Sequence, residues 1–425
     1  MGLPVEDVDI ATTLLPERVI RLVTSACMKA VPTGFDHGTV TVIVGSRHFE
    51  VTTLRQDVKT DGRHACVEFT DDLTKDAQRR DFTINALYLS KEGELIDLIS
   101  GVKHCQERKI RFIGVPEKRI QEDYLRILRF FRFSAVYGGG VLDPGGLRAC
   151  ASLKDELSRL APERIANELK KILSAGADSL SVLGVMRELG ILEKLLAEDI
   201  TLDVLTRLHV VIDVNDLRHE SREMLLLAAL ADDIGRVENI SSRLRLSKKD
   251  TSLLRDTLVA SNAVLSGITS SMSGEISESS SQATQATMQE AISKAASHAN
   301  DMSGETQLTE SNDKNGLEAF LSDRGKMRLL KYRFTANAAE NGLLLAAAKK
   351  KYYQDLRSCL SWMSSSVAPD FPLRGSDLLA LGFCPGPMVG MALEEAEKYW
   401  VSTDFQATKS DILQHISYNL VRHEE

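Results

Sequence analysis

The strongest constraint on the fold is a change in hydrophobic pattern near residue 117, because strand-like segments precede it and helical segments follow it. Thr39–Val44 is a β-branched run and Phe49–Leu54 is a second extended segment shortly after it, so the two predict a hairpin. Beyond residue 117, apolar side chains recur with helical spacing at Ile120, Tyr124 and Ile127. The sequence therefore predicts an α+β fold, with a small mixed or antiparallel sheet followed by an all-helical remainder.

Residues 266–316 interrupt the helical region with a different composition, rich in Ser, Thr, Gln, Asn and Gly and free of aromatic residues. Such a segment buries too little apolar surface to offset the entropy of ordering it. We therefore predict a flexible insertion, and a regulatory or partner-binding segment is the functional alternative. Helical patterning resumes at Leu317 and continues to a Gly- and Pro-rich break between Pro369 and Pro387.

Composition excludes some classes of protein and leaves others open. No run of about 18 apolar residues is present, so no membrane partner is expected, and the first residues lack the pattern of a secretory signal. The six cysteines are scattered without zinc-ligand spacing, which predicts reduced thiols in the cytoplasm. The net charge of −8 does not indicate a nucleic-acid partner, but local basic patches set phosphate affinity. The sequence does not specify an oligomeric state.

Asp7 and Asp9 form the first candidate site. Residues two apart in a strand lie on the same side, so the two carboxylates would repel each other unless a cation lies between them. Mg²⁺ prefers carboxylate and phosphate oxygens and keeps positions open for substrate, which suits phosphoryl transfer. Glu50 lies on a candidate neighbouring strand and would join the pair. The alternative is that all three acids are ordinary surface residues.

The second candidate site is the segment Arg79–Leu87, in which guanidinium, carboxylate and amide groups lie close together. Arg80 would bind phosphate oxygens through its planar set of donors. Asp81 and Asn85 would hold ribose hydroxyls by hydrogen bonds. The alternative is a charged entry to a helix or strand, where these groups make local ion pairs.

Asp123 and Arg126 form the third candidate site, and Arg129 and Arg132 follow them. Residues three apart share a face of a helix, and we predict that Asp123 and Arg126 do so. Such a pair presents hydrogen-bond acceptors and donors in one plane and would bind the pairing edge of a nucleobase. The alternative is an ordinary surface salt bridge.

These candidate sites follow one another in the order found in the nucleotidyltransferase superfamily. More narrowly, they resemble the bacterial (class II) tRNA CCA-adding enzyme and poly(A) polymerase family, over most of the chain outside residues 266–316. The matching segments are a metal motif, a third-acid strand, a sugar-selecting motif, a nucleotide-selecting motif and a supporting helix: Asp7–Thr12, Phe49–Arg55, Arg80–Ala86, Glu122–Arg126 and Pro162–Leu169.

The resemblance implies a mechanism and a set of ligands. Asp7 and Asp9, with Glu50, would hold two Mg²⁺ ions, one of which would activate the 3′-hydroxyl of the RNA while the other would bind the triphosphate and stabilise the leaving pyrophosphate. The nucleotide-binding residues would be Arg80, Asp81, Asn85, Asp123, Arg126 and Arg129. Asp123 and Arg126 would select CTP or ATP without a template, and the helical part would grip tRNA by its shape and phosphates.

The resemblance also divides the chain into parts. These are a nucleotidyltransferase head, a helical neck, a helical body, the flexible insertion and a tRNA-binding body and tail, at 1–112, 113–176, 177–265, 266–316 and 317–425. We expect the head to lack the first strand and the Gly-Gly turn that family members carry before the metal motif. Gly375–Gly390 is expected to contact tRNA, with simple packing as the alternative.

CCA addition is the first expectation within the family. The chain is acidic, whereas poly(A) polymerases are usually more basic, and Asp61–Phe69 resembles the flexible loop of enzymes that add the terminal A. Poly(A) synthesis and CC-only or A-only addition are the alternatives of the same chemistry. A non-catalytic RNA-binding relative and a scaffold without either activity are the alternatives of other classes.

Overall fold

The computed structural model describes residues 8–61, 64–217, 222–267 and 309–422. Asp7 and most of the predicted flexible insertion lie outside this part of the chain. The chain divides into two compact units. Unit 1 is Met1–Leu202, Ser221–Leu227 and Arg236–Ser247, and unit 2 is Asp203–Glu220, Ala228–Gly235 and Lys248–Glu425. No helix in the described ranges is long and apolar enough to cross a membrane.

A four-stranded mixed sheet forms the first part of unit 1, as the sequence predicts. Its strands are β1 Asp9–Thr12, β2 Lys29–Gly34, β3 Thr39–Val44 and β4 Arg47–Thr53, in the order β1-β4-β3-β2. β1 runs parallel to β4, whereas the β2–β3 and β3–β4 pairs are antiparallel. The β3–β4 pair is the predicted hairpin, and it turns at Gly45, whose φ of 62° lies in the left-handed region that favours glycine.

Helix α1, Pro16–Ser25, covers one face of this sheet. Val19 and Val23 of the helix pack against Val40 and Val42 of β3. Side chains alternate along a strand, so the residues between these valines lie on the opposite face. The sheet therefore has one apolar face against α1 and one face that carries polar side chains.

Two further hairpins belong to unit 1: β5 Arg55–Asp61 with β6 His64–Phe69, and β7 Leu87–Leu89 with β8 Leu95–Asp97. The β7–β8 pair is predicted from the sequence, whereas β2 and β5 are not. The segment Asp61–Phe69, which resembles a flexible loop in the sequence, is mostly strand, because its backbone pairs with that of β5.

The rest of the described chain is helical, which confirms the predicted fold class. The helices after α1 are α2 Leu73–Gln78, α3 Gly101–Gln106, α4 Pro116–Glu122, α5 Leu125–Tyr137, α6 Pro144–Leu153, α7 Pro162–Leu173, α8 Asp178–Glu188, α9 Ile191–Leu196, α10 Asp203–Val214, α11 Glu223–Ala231, α12 Val237–Leu244, α13 Lys248–Leu265, α14 Thr309–Ser322, α15 Arg324–Arg333, α16 Ala336–Lys349, α17 Arg357–Ser365, α18 Gly375–Ala380, α19 Pro387–Ser402 and α20 Lys409–Arg422.

A cluster of phenylalanines joins the second candidate site to helix α5. The ring of Phe82 lies 4.9 Å from that of Phe112 and 5.1 Å from that of Phe133, measured between centroids. Phe112 in turn stacks on Phe130 at 5.5 Å. Aromatic pairs at these separations add to the stabilisation from burial alone. The chain on either side of Phe82 is therefore fixed relative to α5.

Two contacts organise unit 2. Helices α13 and α16 pack closely at Gly342, where a Cβ atom would lie 2.5 Å from the Cβ of Ala260. Near the end of the chain, Trp400 contacts the rings of Tyr332 and Phe405 at 5.4 and 5.0 Å. The helices predicted from residue 317 onward therefore pack together, and they have an apolar cluster of their own.

Helix α14 corrects one predicted boundary. It begins at Thr309, so residues 309–316 are helical although the composition assigns them to the flexible insertion. Leu317, Phe320 and Leu321 are buried, and they anchor the helix whose polar first turns are residues 309–316. Residues 268–308 lie outside the described residues.

Candidate active site

Strands β1 and β4 place Asp9 and Glu50 side by side. The two are register partners in the parallel pair, so their side chains leave the sheet on the same face. Val51, the next residue of β4, packs with the cluster under α1, which puts Glu50 on the face away from that helix. Both acids are exposed, and neither side chain has a hydrogen bond or ion pair to another described residue. Asp7, the remaining predicted acid, lies outside the described residues.

The pair Asp9 and Glu50 has the donor chemistry of a Mg²⁺ site. Adjacent carboxylates repel each other and are stabilised by a cation between them, and oxygen ligands are those that Mg²⁺ prefers. Among the described side chains, no group of three or more His, Cys, Asp or Glu residues could hold a metal. The two acids would therefore supply part of a coordination shell that other oxygens, such as those of a triphosphate or water, would complete.

Asp81 connects the second and third candidate sites. Its Oδ1 accepts hydrogen bonds from the backbone N–H of Phe82 and from Nδ2 of Asn85, both at 2.9 Å. Its Oδ2 accepts from Nε of Arg129 at 2.6 Å. Burial alone would raise the pKa of this carboxyl group, but Arg129 and the hydrogen bonds outweigh it, and the pKa lies below its ordinary value. The structure thus brings Asn85 and Arg129 together around the ionised carboxylate of Asp81, and all three are predicted site residues.

Arg79 and Arg80 converge on Asp76, a residue that sequence reasoning missed. Asp76 is 1% exposed. Its Oδ1 lies 2.7 Å from Nη2 of Arg79, and its Oδ2 lies 3.0 Å from Nη2 of Arg80. The hydroxyl of Tyr88 also donates to Oδ2 at 2.7 Å, and burial together with this bond raises the pKa of Tyr88 to about 12. The spacing could have indicated these pairs, because residues three and four apart adjoin on a helix.

Asp123 and Arg126 do not share a helix, contrary to the prediction. Helix α4 ends at Glu122 and α5 begins at Leu125, and Asp123 between them is extended, with φ −154° and ψ 107°. The carboxylate of Asp123 accepts a hydrogen bond from the backbone N–H of Leu125 at 3.1 Å. Aspartate competes for backbone donors in this way, so Asp123 ends α4 and its side chain binds the first N–H of α5.

The partners of these two residues also differ from the prediction. Nη1 of Arg126 lies 2.5 Å from Oε2 of Glu122, and its Nη2 donates to the carbonyl oxygen of Arg79 at 3.2 Å. Oδ2 of Asp123 instead accepts from Nη2 of Arg164 at 2.8 Å. The side chain of Asp123 is 27% exposed and that of Arg126 is 13% exposed. Each therefore keeps some accessible surface at the junction between α4 and α5.

Helix α7 supports this junction with two charged residues one turn apart. Arg164 binds Asp123, as described above, and Oε2 of Glu168 accepts from Nε of Arg132 at 2.6 Å. Both members of the second pair are mostly buried. Helix α7, the supporting helix identified in the sequence, therefore contacts the third candidate site. The residues with which it pairs can be identified only from the structure.

Guanidinium groups outnumber carboxylates in this part of the described chain. The arginines are Arg55, Arg79, Arg80, Arg119, Arg126, Arg129 and Arg164, and the acids among them are Asp57, Asp76, Asp81, Glu122 and Asp123. Burial and the nearby Arg79 lower the pKa of Arg55, which reflects the crowding of positive charge. The region is thus locally cationic in a chain of net charge −8, and such a region attracts phosphate groups.

Two family models match the chain. Residues 1–111 match the family described as Poly A polymerase head domain. Residues 142–200 match the family described as Probable RNA and SrmB-binding site of polymerase A. The first match covers the sheet, the hairpins and the second candidate site, and the second covers helices α6 to α9.

Similar proteins extend these matches over the whole chain. The CCA tRNA nucleotidyltransferase 1, mitochondrial, of Danio rerio is 33% identical over 427 residues, which cover 97% of this chain and 83% of the relative. The CCA-adding enzyme of Leuconostoc citreum is 41% identical over 183 residues, or 42% of this chain and 44% of the relative. Among solved structures, the Bacillus stearothermophilus CCA-adding enzyme in complex with CTP has the same fold, with a TM-score of 0.67 at 23% identity over 100% of this chain and 91% of that one.

Proposed function

Because the chain belongs to the tRNA CCA-adding enzyme and poly(A) polymerase family of nucleotidyltransferases, we propose that it adds CCA to the 3′ end of tRNA from CTP and ATP. The observation that carries this proposal is the register of β1 and β4, which sets Asp9 and Glu50 on one exposed face. The cationic region in the same unit supplies donors for a triphosphate. Acids for a cation and arginines for phosphates are the two parts that nucleotidyl transfer needs.

Asp9 and Glu50, together with Asp7, would hold Mg²⁺. When bound there, the metal would activate the 3′-hydroxyl of tRNA and neutralise the charge that develops on pyrophosphate. The remaining task of the protein is to hold the 3′ end and the triphosphate in line, because positioning and charge stabilisation supply most of the rate in such reactions.

Arg80 and Asn85 would bind the phosphates and the ribose. The side chain of Arg80 is 32% exposed, so its remaining donors are accessible to a triphosphate. Asp81 is 7% exposed and both of its oxygens already accept hydrogen bonds. We infer that Asp81 orients Asn85 and Arg129 and does not itself bind the sugar.

Asp123 and Arg126 would select the base at the junction between α4 and α5. C and A both carry an exocyclic amino group, which donates, where U and G carry a carbonyl oxygen, which accepts. A carboxylate accepts from the amino group and repels the carbonyl oxygen, so Asp123 favours C and A. Arg164 holds Asp123 by its second oxygen and would fix its orientation.

Unit 2 would bind the body of tRNA. Four apolar side chains are exposed in the predicted contact segment Gly375–Gly390 or beside it, and they would pack against nucleotides: Leu379, Leu381, Met388 and Met391. The cytoplasmic location stays a proposal. It is supported by free thiols at the described cysteines, whereas the Danio rerio relative is named mitochondrial.

The test is incorporation of labelled CTP and ATP into tRNA transcripts that end before CCA, after C and after CC. With Mg²⁺, the full chain should add the missing nucleotides and then stop, and Asp9→Asn should reduce the rate by about 100-fold or more, because metal ligands supply several kcal/mol to the transition state. Asp36→Asn is the matched control, since Asp36 is exposed and lies outside β1 and β4.

The pattern of products separates the alternatives. Unlimited incorporation of ATP alone would indicate a poly(A) polymerase, and addition that stops after CC or is limited to A would indicate a partial activity. Binding of tRNA without any incorporation would contradict the proposal and favour a non-catalytic RNA-binding relative.

A further inference from the structure

Asp76 lies in the last turn of α2 and is hydrogen-bonded on both carboxylate oxygens. Oδ1 accepts from Nε of Arg79 at 2.8 Å and from the backbone N–H of Arg55 at 3.3 Å. Oδ2 accepts from Nη2 of Arg80 at 3.0 Å and from the hydroxyl of Tyr88 at 2.7 Å. The end of α2, the start of β5 and the middle of β7 therefore meet at one buried side chain.

The surroundings of Asp76 keep its carboxylate ionised. Burial raises the pKa of a carboxyl group, but here Arg79, the hydroxyl of Tyr88 and Arg80 outweigh burial, and the pKa of Asp76 lies below its ordinary value. The charge is also needed by its neighbours. Without it, the guanidinium groups of Arg79, Arg80 and Arg55 would lie close together in a half-buried space and would lose the carboxylate that they share.

Arg80 is held on one side and accessible on the other. Its Nε and Nη2 donate to Asp76, and its Nη1 donates to the carbonyl oxygen of Asn85 at 3.2 Å. The guanidinium carbon also lies 5.2 Å from the ring centroid of Tyr88. An arginine has five N–H donors; three make these bonds and Arg80 also interacts with the hydroxyl of Tyr88, so its donor capacity is not exhausted. The side chain is 32% exposed and presents its remaining donor capacity to an anion.

Resting on the proposed function, we propose that Asp76 is a positioning residue that fixes Arg80 in the orientation that binds the phosphates of both CTP and ATP. Asp76 is 1% exposed, so it would act through Arg80 and not by touching the nucleotide. It acts on affinity for the triphosphate and not on the choice of base, because Arg126 has its own ion pair with Glu122 and contacts the partners of Asp76 only through the backbone oxygen of Arg79.

The test compares Asp76→Asn with Asp72→Asn in the full chain. Both changes remove one negative charge from the same helix, but Asp72 is the N-cap of α2, and asparagine caps a helix as well as aspartate does. For each variant we would measure KM and kcat for CTP and ATP with tRNA transcripts, and the dissociation constant of CTP and of ATP without tRNA. Circular dichroism would establish that each variant is folded.

For Asp76→Asn we expect KM and the dissociation constant to rise about tenfold for both nucleotides, as loss of a charge-assisted contact predicts, with kcat changed less than about threefold. Asp72→Asn should match the wild type. Unchanged nucleotide affinity in folded Asp76→Asn, or a rise for only one of the two nucleotides, would overturn the proposal. An inactive wild type would instead refute the proposed function, so the two failures are distinct.

Tyr88→Phe tests the positioning role of Asp76 if Asp76→Asn does not fold. This change removes one hydrogen bond to Oδ2 and leaves both arginine pairs in place. We expect a rise in KM of about threefold for CTP and ATP alike, with kcat retained, because Asp76 loses one of its hydrogen bonds and keeps its arginine partners. Wild-type KM values in Tyr88→Phe, with Asp76→Asn unfolded, would assign Asp76 a purely structural role.

Discussion

The pair of Glu168 and Arg132 gives the sharpest test of how helix α7 supports the candidate active site. Their Oε2 and Nε atoms are 2.6 Å apart, and the side chains are only 7% and 15% exposed. The guanidinium group of Arg132 also lies 4.4 Å from the ring centroid of Phe133. Glu168→Gln keeps the shape of the side chain and removes its charge, which leaves a buried arginine without a counter-ion. Breaking a buried ion pair from one side costs about 3–5 kcal/mol.

The same helix carries its own control. Oε1 of Glu163 lies 3.1 Å from Nη1 of Arg245, and these side chains are 52% and 66% exposed. Exposed pairs contribute about 0–1 kcal/mol, because water screens the charges and ordering two long side chains is unfavourable. Glu163→Gln is therefore the matched control, because it is the same substitution on the same helix and removes the same charge. We expect the free energies of unfolding of the two variants to differ by at least about 2 kcal/mol.

Hydrogen exchange of the backbone amides of α5 and α7 measures this difference locally. A loss of about 3 kcal/mol in the free energy of opening lowers the protection factors of those amides by about 150-fold. In the Glu163→Gln variant, the protection factors should stay within about fivefold of the wild-type values. Trp362 and Trp400 both lie in unit 2, so their fluorescence should report no change in either variant. Protection of α5 and α7 in Glu168→Gln equal to that in Glu163→Gln would show that the buried pair does not stabilise the junction.

Two further predictions concern Asp81 and Arg164. The pKa of Asp81 is depressed in the folded state, so its stabilising contribution is complete above the unfolded value of about 3.9 and is lost as pH falls through the folded value. The stability difference between wild type and Asp81→Asn should therefore shrink as pH falls from 4 toward 2, and acid unfolding by circular dichroism would contradict this if the difference stayed constant. Arg164→Met should lower the ratio of kcat/KM for CTP over UTP by about tenfold, because Asp123 loses the partner that orients it, and an unchanged ratio would exclude that role.

Local pattern and alternation in the sequence are enough to predict the sheet face that carries Glu50. The β-branched run of β3, the turn at Gly45 and the alternation along β4 are short-range features, and together they place Glu50 opposite the valines that pack on α1. The partnership of Asp9 with Glu50 needs only the further assumption that β1 is a neighbour of β4. The structure confirms the fold class for the same reason, since strand and helix periodicities are local properties.

The parts that sequence reasoning missed depend on contacts between distant segments or on competition at a single residue. Asp123 looked like a helical residue, but its side chain captures the amide of Leu125 and divides the helix, which moves its pairing to Arg164. The spacing of Asp76 from Arg79 and Arg80 is visible in the sequence, but it does not distinguish a buried cluster from ordinary surface ion pairs. The importance of Asp76 arises because α2, β5 and β7 bury it among arginines, and burial is a property of the fold.

The parallel register of β1 and β4 has a consequence for which insertions and deletions this head can tolerate. Side chains alternate with a period of two, so a shift of β4 by one residue would turn Glu50 toward α1 and expose Val51. Such a shift would bury the charge of Glu50 and at the same time expose the side chain of Val51. A chain with the wrong pairing would therefore fail to fold before it could act as a faulty enzyme, and the lengths of the turns between β1 and β4 can change only in ways that restore the original pairing.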